Sequence, residues 1–261
     1  MAVLKTMELV AAGEALRRRA TPRILGLLSA GVAAAALRAV GEWTGAPGPT
    51  TLGAVGSVAL WLVAGAAFMR LAFADEHPDD PDFRPGPQGF QWTRQEWRYL
   101  GAAFVTVAAM VLAVVVPVLV CLVLATPLGL TQDPPSQPAR AVVAIGLMVG
   151  VAIGAFVGVR LSLSAAASIA ERRLTFPWSL TRGGFWALLA AYLLIVLGAG
   201  LATFAVDRLL KLVAAGALSE APHEMAVGNF VSALLVLFVQ LPMGAGVAAF
   251  AYKRLKATAA G

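Results

Sequence analysis

The chain has 261 residues, of which 59% are hydrophobic and only 13% charged, with a formal net charge of +6 and a mean hydropathy of +0.81. An ordinary soluble domain carries roughly 25% charged residues, so this composition excludes a water-soluble enzyme core. The basic balance does not point to nucleic acid, because the arginines and lysines flank apolar runs, where they set topology and attract anionic lipid heads.

The N-terminal stretch, 2–19, reads as an amphipathic helix with Leu4, Met7, Val10 and Ala11 on one side and Arg17, Arg18 and Arg19 at its end. A helix of that kind is expected along the cytoplasmic interface. No small-residue cleavage site follows it, so no removable signal is expected. Uncharged runs then recur at 22–37, 50–69, 100–126, 141–159, 183–206 and 225–252. Each is near the roughly 17 to 25 residues that cross a hydrocarbon layer. The first is followed at once by Arg38, which would have to snorkel to the far interface. The expected fold is one all-α domain, a polytopic bundle of six transmembrane helices with short interfacial helices.

Six spans place sixteen of the twenty basic residues on one side, in the N-terminal arm, the 70–99 and 160–182 loops and the tail. Arg38, Arg140, Arg208 and Lys211 fall on the other side. The positive-inside rule then puts both termini in the cytoplasm. Arginine far outnumbers lysine and alanine is abundant, which suits a GC-rich bacterial genome and an inner-membrane location. The single cysteine, Cys121, lies mid-span and can form no internal disulfide.

Between the second and third spans, Asp75, Glu76, Asp79, Asp80 and Asp82 stand among Pro78, Pro81, Pro85 and Pro87. An extended acidic linker without helix is expected there. His77 alone among these carboxylates matches no metal-ligand pattern. The segment 89–100 interleaves Phe90, Trp92, Trp97 and Tyr99 with Arg94 and Arg98, a composition suited to the headgroup layer. Thr93 with Glu96 three residues on forms a capping box, which predicts a helix from Arg94 into the third span.

The fourth span carries Gly146, Gly150, Gly154 and Gly158 at strict four-residue spacing. Such a ladder leaves a groove free of side chains, and in lipid close backbone approach of this kind drives helix association. It is expected to pack helices within the bundle or against a partner. Beyond it, Arg160, Ser164, Ser168 and Glu171 fall on one stripe of a helix that continues out of the membrane. Thr175 and Pro177 then predict a restart as a short interfacial helix, with Trp178 and Trp186 as interface anchors. A basic pocket of Arg160, Arg172, Arg173 and Arg182 would hold a phosphate headgroup or an acidic partner. The plainer reading of Arg160 is a contact to Glu171 or to backbone carbonyls.

The segments Arg160-Leu161-Ser162-Leu163-Ser164, Glu171-Arg172 and Trp178-Ser179-Leu180-Thr181-Arg182-Gly183-Gly184-Phe185-Trp186 resemble the cytoplasmic hallmark of a bacterial six-span family. Its members include the membrane domain attached to some glycerophosphodiester phosphodiesterases, together with stand-alone integral proteins of unknown function. Gln95-Glu96-Trp97-Arg98-Tyr99-Leu100 is similar to a second segment seen before the third span in stand-alone relatives. The order Trp178-Ser179 and the run 165–167 depart from that pattern. The 261 residues leave no length for a soluble phosphodiesterase domain, so the resemblance implies a membrane-embedded accessory role rather than hydrolysis.

Catalysis is not expected. The only histidines, His77 and His223, fall on opposite sides, so they cannot share a metal. No histidine sits at membrane depth to serve Ser162 or Ser164 as a base, and no paired carboxylates lie inside the spans. Neither a cofactor nor a metal is implied. Among intramembrane polar residues, Gln240 beside Pro242 stands out, read either as a partner for a carbonyl freed by the proline or as a polar lining shared with Ser164. Gly198, Gly200, Gly244 and Gly246 read first as packing glycines. The outer stretch 207–224 is expected to continue as a surface helix carrying Leu209, Leu210, Leu212, Val213 and Leu218.

These features give two functional expectations. The first is a non-enzymatic accessory or assembly component whose basic face engages anionic lipid or a protein, its partners being membrane lipids and another membrane protein. The second is a small permease or lipid-handling protein for an uncharged or amphiphilic substrate. The interior separates them: the second requires a cavity that reaches Gln240, and the first requires that space to be filled.

Overall fold

The computed structural model describes residues 4–84, 86–213 and 221–260. Among them there is no strand, and six helical stretches are long and apolar enough to cross a bilayer: Thr6–Thr44, Pro47–Glu76, Pro87–Leu128, Gln137–Ala170, Phe185–Val206 and His223–Ala259. The protein is an all-α, multi-pass membrane bundle. Helices suit that solvent because every backbone polar group is satisfied within its own segment.

Helix α1 (Thr6–Ala20) buries Leu9, Gly13, Leu16 and Ala20. Of the expected face, Leu4 is buried and Val10 packs against the core, whereas Met7 and Ala11 are exposed, and Gly13 sits so close to the last span that a Cβ would stand 2.7 Å from the Met243 carbonyl oxygen. The helix therefore docks on the bundle through a glycine contact. Its opposite face pairs Glu14 with Arg17 and Arg18.

Helix α2 (Leu25–Thr44) runs seven residues beyond the expected end of the first span. The reason is local: Arg38 bonds Glu42 at 2.8 Å, and Glu42 also accepts from Asn229 of the last span at 2.9 and 3.0 Å. Arg38, with a third of its side chain exposed, is thus paired with a carboxylate on its own helix. Gly45, at φ 69°, closes the helix in the left-handed conformation, and Pro47 opens α3 (Pro47–Phe73).

Helix α4 (Arg94–Ala125) begins at the expected capping box, with Thr93 Oγ1 accepting from the Gln95 amide at 3.2 Å and Glu96 reaching back to the Thr93 amide. Glu96 also meets Arg70 at 2.9 Å, each side chain at most 2% exposed. This pair joins the end of α3 to the start of α4. Helix α5 (Gln137–Leu161) returns beside α4, and the two form a hairpin whose outer faces expose Phe104, Val111, Leu112, Leu147 and Met148 to the surroundings.

The glycine ladder faces into this hairpin. A Cβ on Gly146 would stand 2.5 Å from Cys121 Cβ, one on Gly150 2.7 Å from the Val114 carbonyl oxygen, one on Gly154 2.7 Å from Val114 Cγ2, and one on Gly158 2.9 Å from Met110. All four pack on α4.

Helix α5 stops at Leu161, and α6 (Ser164–Ala170) restarts after a two-residue turn. The expected polar stripe is therefore divided, and Arg160 and Glu171 go to different neighbours. Thr175 caps no helix; its amide donates to Ser168 Oγ at 3.0 Å, and the chain forms only a 3₁₀ turn at Leu180–Gly183. Helix α7 (Phe185–Val213) extends the fifth span in one piece. The rest of the expected outer helix, including Leu218 and Glu220, lies outside the described residues.

The last span consists of α8 (Ala221–Leu235), one π turn at Val236–Gln240 and α9 (Leu241–Ala260). Pro242 explains the π turn: it has no amide hydrogen for the Phe238 carbonyl and its ring crowds that turn, so the ladder widens locally. The Leu241 amide accordingly bonds the Val236 oxygen five residues back.

The acidic linker is not extended. It makes short 3₁₀ turns at Ala74–Glu76, Pro81–Phe83 and Pro87–Gly89, and Phe83 is fully buried. Asp75 pairs with Arg19, Asp80 with Arg172 and Glu76 with Lys253, so the carboxylates fasten the segment to three other elements. His77 stacks on Phe83.

Candidate functional site

The α4–α5 hairpin packs mainly on itself and only sparsely on α7. The consequence is a cleft of about 500 Å³ between the hairpin, α7 and α9, floored by Met69 of α3. Its walls are largely apolar, formed by residues such as Met110, Leu193, Val196 and Leu241. Residues with polar side chains along it are Tyr99 and Thr106 of α4, Ser162 after α5, Tyr192 of α7 and Gln240 of the π turn; the Thr106 and Ser162 hydroxyls donate to the Ala102 and Val159 carbonyls of their own segments. Concave, mainly apolar spaces of roughly 300 to 1,000 Å³ with a few converging polar groups are the usual form of a small-molecule site.

Sequence order fixes its depth. Tyr99, Val159, Ser162 and Leu189 all lie in the halves of their helices nearest the chain termini, and Gln240 lies deepest along the last span. The cleft thus occupies the half of the bundle that carries the termini. The π turn sets Gln240 at its inner end, where the local irregularity rotates the side chain off the regular helical register; π turns of this kind are common at functional sites. Gly244 also lines the cleft, and a Cβ added there would meet nothing within 4 Å.

A second recess of about 570 Å³ adjoins the first, sharing Ala155 and Leu189 with it. It is lined by Phe156, Arg160, Arg182, Phe185 and Trp186. The Arg160 guanidinium lies 5.2, 5.8 and 5.7 Å from the ring centres of Phe156, Trp178 and Phe185, within the range of cation–π attraction. Its Nη1 donates to the Trp178 carbonyl and Thr181 Oγ1, both at a long 3.4 Å. Trp186 is 77% exposed.

The four arginines expected to form one basic pocket are divided. Arg172 pairs with Asp80 and lies over Phe83, and Arg173 pairs with Glu171. Arg160 and Arg182 share the recess, and neither is paired with a carboxylate among the described residues. Glu171 is taken up by Tyr252, whose hydroxyl donates to it at 2.7 Å, and by Lys256 at 3.1 Å. Tyr252 foremost, then Lys256 and Arg173, hold its carboxyl down to about 2.

Of the two expected polar linings, Gln240 is in the cleft and Ser164 is not: Ser164 is fully buried in α6, and Ser162 takes its place. Pattern and spacing do not single out Tyr192 or Thr106, and they place Tyr99 only among the headgroup-layer aromatics. The one signal the sequence carries is that all three tyrosines fall inside or beside apolar runs, where a hydroxyl needs a use, and it does not separate Tyr99 and Tyr192 from Tyr252. Of the glycines read as packing residues, Gly246 does pack, against Gly13 and Leu16, whereas a Cβ on Gly198 or Gly200 would meet nothing.

Comparison of the chain with protein-family models, curated proteins and solved structures finds nothing that matches.

Proposed function

We propose that the protein is a lipid-handling membrane protein that holds an amphiphile in the cleft between the α4–α5 hairpin, α7 and α9. One observation supports this reading over an accessory role: the interior that an accessory protein would fill with side chains contains a space of about 500 Å³ reaching Gln240. The chemistry of the walls selects the occupant. Methyl and methylene surfaces fit hydrocarbon, while the Gln240 amide offers hydrogen bonds to a few oxygens and the lining carries no charge for an ion. The narrow contact between α5 and α7 leaves the cleft accessible from the side, the route by which a bilayer lipid arrives without crossing water.

In this reading both termini and the arginine-rich face lie in the cytoplasm of a bacterial inner membrane, and the amphiphile comes from the cytoplasmic leaflet. The protein performs no hydrolysis; the glycine ladder is the packing seam that holds the hairpin together as one wall of the cleft.

The test is a cleft-filling variant. Gly244→Phe adds a ring into open space, so the protein is expected to remain folded and to lose retention of a fluorescent long-chain phospholipid in mild detergent. Undiminished retention by a folded Gly244→Phe variant would refute the assignment of the cleft.

A further inference from the structure

We infer that the recess of Arg160 and Arg182 is a phosphate-binding headgroup site, and that one phosphate-bearing glycerolipid occupies recess and cleft together. The inference rests on the lipid-handling reading and adds the class of lipid. Its basis is the adjacency of the two spaces: Ala155 and Leu189 line both, so only these two side chains stand between the arginines and the apolar cleft. Leu189 is one turn along α7 from Phe185, which lines the recess beside Arg160. A molecule with its head at the arginines would lead its chain past these two side chains toward the cleft.

The charges support an anion there. The linker carboxylates and Glu171 already neutralise Arg19, Arg172, Arg173 and Lys253 on this face. Arg160 and Arg182 have no such partner among the described residues. The Arg160 guanidinium is held in place by three aromatic rings, yet its hydrogen bonds are long, and its Nε is buried without an acceptor. An arginine so positioned keeps donor capacity for a phosphate, whose oxygens match the guanidinium fork. Trp178 and Trp186 beside it mark the height of the headgroup layer.

The test compares ligands and variants of the full chain in nanodiscs or mild detergent. The ligands are phosphatidic acid, phosphatidylglycerol, diacylglycerol with the same chains, and inorganic phosphate. The wild type is expected to retain both phospholipids at least tenfold better than diacylglycerol. Arg182→Gln should lower phospholipid retention about fivefold, and Arg160→Gln with Arg182→Gln at least tenfold, with diacylglycerol retention unchanged. Arg182 is exposed and its side chain makes no hydrogen bond among the described residues, so its single variant remains informative if the double variant does not fold. Equal retention of phospholipid and diacylglycerol, or an unchanged Arg182→Gln, would overturn the headgroup site while leaving the cleft reading intact. Displacement of phospholipid by millimolar inorganic phosphate would also overturn it, showing a soluble-anion site. Failure to retain any long-chain ligand would instead defeat the cleft reading on which it rests.

Discussion

Gly150 of α5 lies directly on the backbone of Val114 in α4, so that a Cβ on Gly150 would stand 2.7 Å from the Val114 carbonyl oxygen and 3.2 Å from its Cα. Backbone cannot move aside as a flexible side-chain tip can. Gly150→Leu is therefore expected to separate the hairpin and cost about 2 kcal/mol or more, at the upper side of ordinary overpacking. Gly158, whose Cβ would meet the Met110 thioether, should tolerate alanine with a smaller loss, because methionine can rearrange. Thermal unfolding in detergent compares the two; equal tolerance of Gly150→Leu and Gly158→Ala would contradict the packing described.

Gly244 presents the opposite case. A Cβ placed on it would find nothing within 4 Å, and it sits within a regular helix. Gly244→Ala is expected to stabilise the protein by roughly 0.5 to 1 kcal/mol, through the reduced freedom of the unfolded chain. A measured loss of stability would mean that the cleft closes on this residue.

The number and placement of the spans were legible because lipid imposes long apolar runs and basic flanks, signals that survive without tertiary information. The capping box at Thr93 and Glu96 was equally local. What was not legible depended on partners distant in sequence. Arg38 reads as a span boundary until Glu42 and Asn229 are seen beside it. The acidic linker reads as extended until its carboxylates meet Arg19, Arg172 and Lys253. The cleft itself arises from a gap between helices, and no periodicity encodes a gap; only Gln240, too polar for its surroundings, pointed there.

The Glu171 carboxyl ties the end of α6 to Tyr252 and Lys256 of α9. Hydrogen bonding to Tyr252, with Lys256 and Arg173, holds it at about 2 against an ordinary 4.5. A carboxylate depressed in the folded state stabilises it fully above the unfolded value, and that contribution is lost as pH falls toward the folded value. Wild type should therefore exceed Glu171→Gln in thermal stability at neutral pH, and the difference should close between about pH 4.5 and pH 2. A difference that persists unchanged at the acid end would remove Glu171 ionisation from the account.

Arg70 and Glu96 form a pair that is almost wholly buried, with a separation of 2.9 Å. Removing one partner leaves a charge without compensation, at a typical cost of about 3 to 5 kcal/mol, whereas replacing both with apolar residues of similar volume is often neutral. Arg70→Met is expected to be severely destabilising and Arg70→Met with Glu96→Leu distinctly less so, part of the residual loss coming from the Thr93 cap that Glu96 completes. Denaturation of the single and double variants measures the coupling; strictly additive losses would show that the pair does not act as one.

The claim on which the functional account turns is that the cleft holds a lipid. Native mass spectrometry of the protein, extracted gently from its own membrane, tests it most directly when wild type and Gly244→Phe are measured side by side. The account predicts a wild-type protomer carrying one phosphate-bearing lipid in stoichiometric amount, and a folded Gly244→Phe protomer without it. A bare wild-type protomer, or a lipid retained equally by Gly244→Phe, would contradict it, and a stoichiometric protein partner on a lipid-free protomer would restore the accessory role as the better reading.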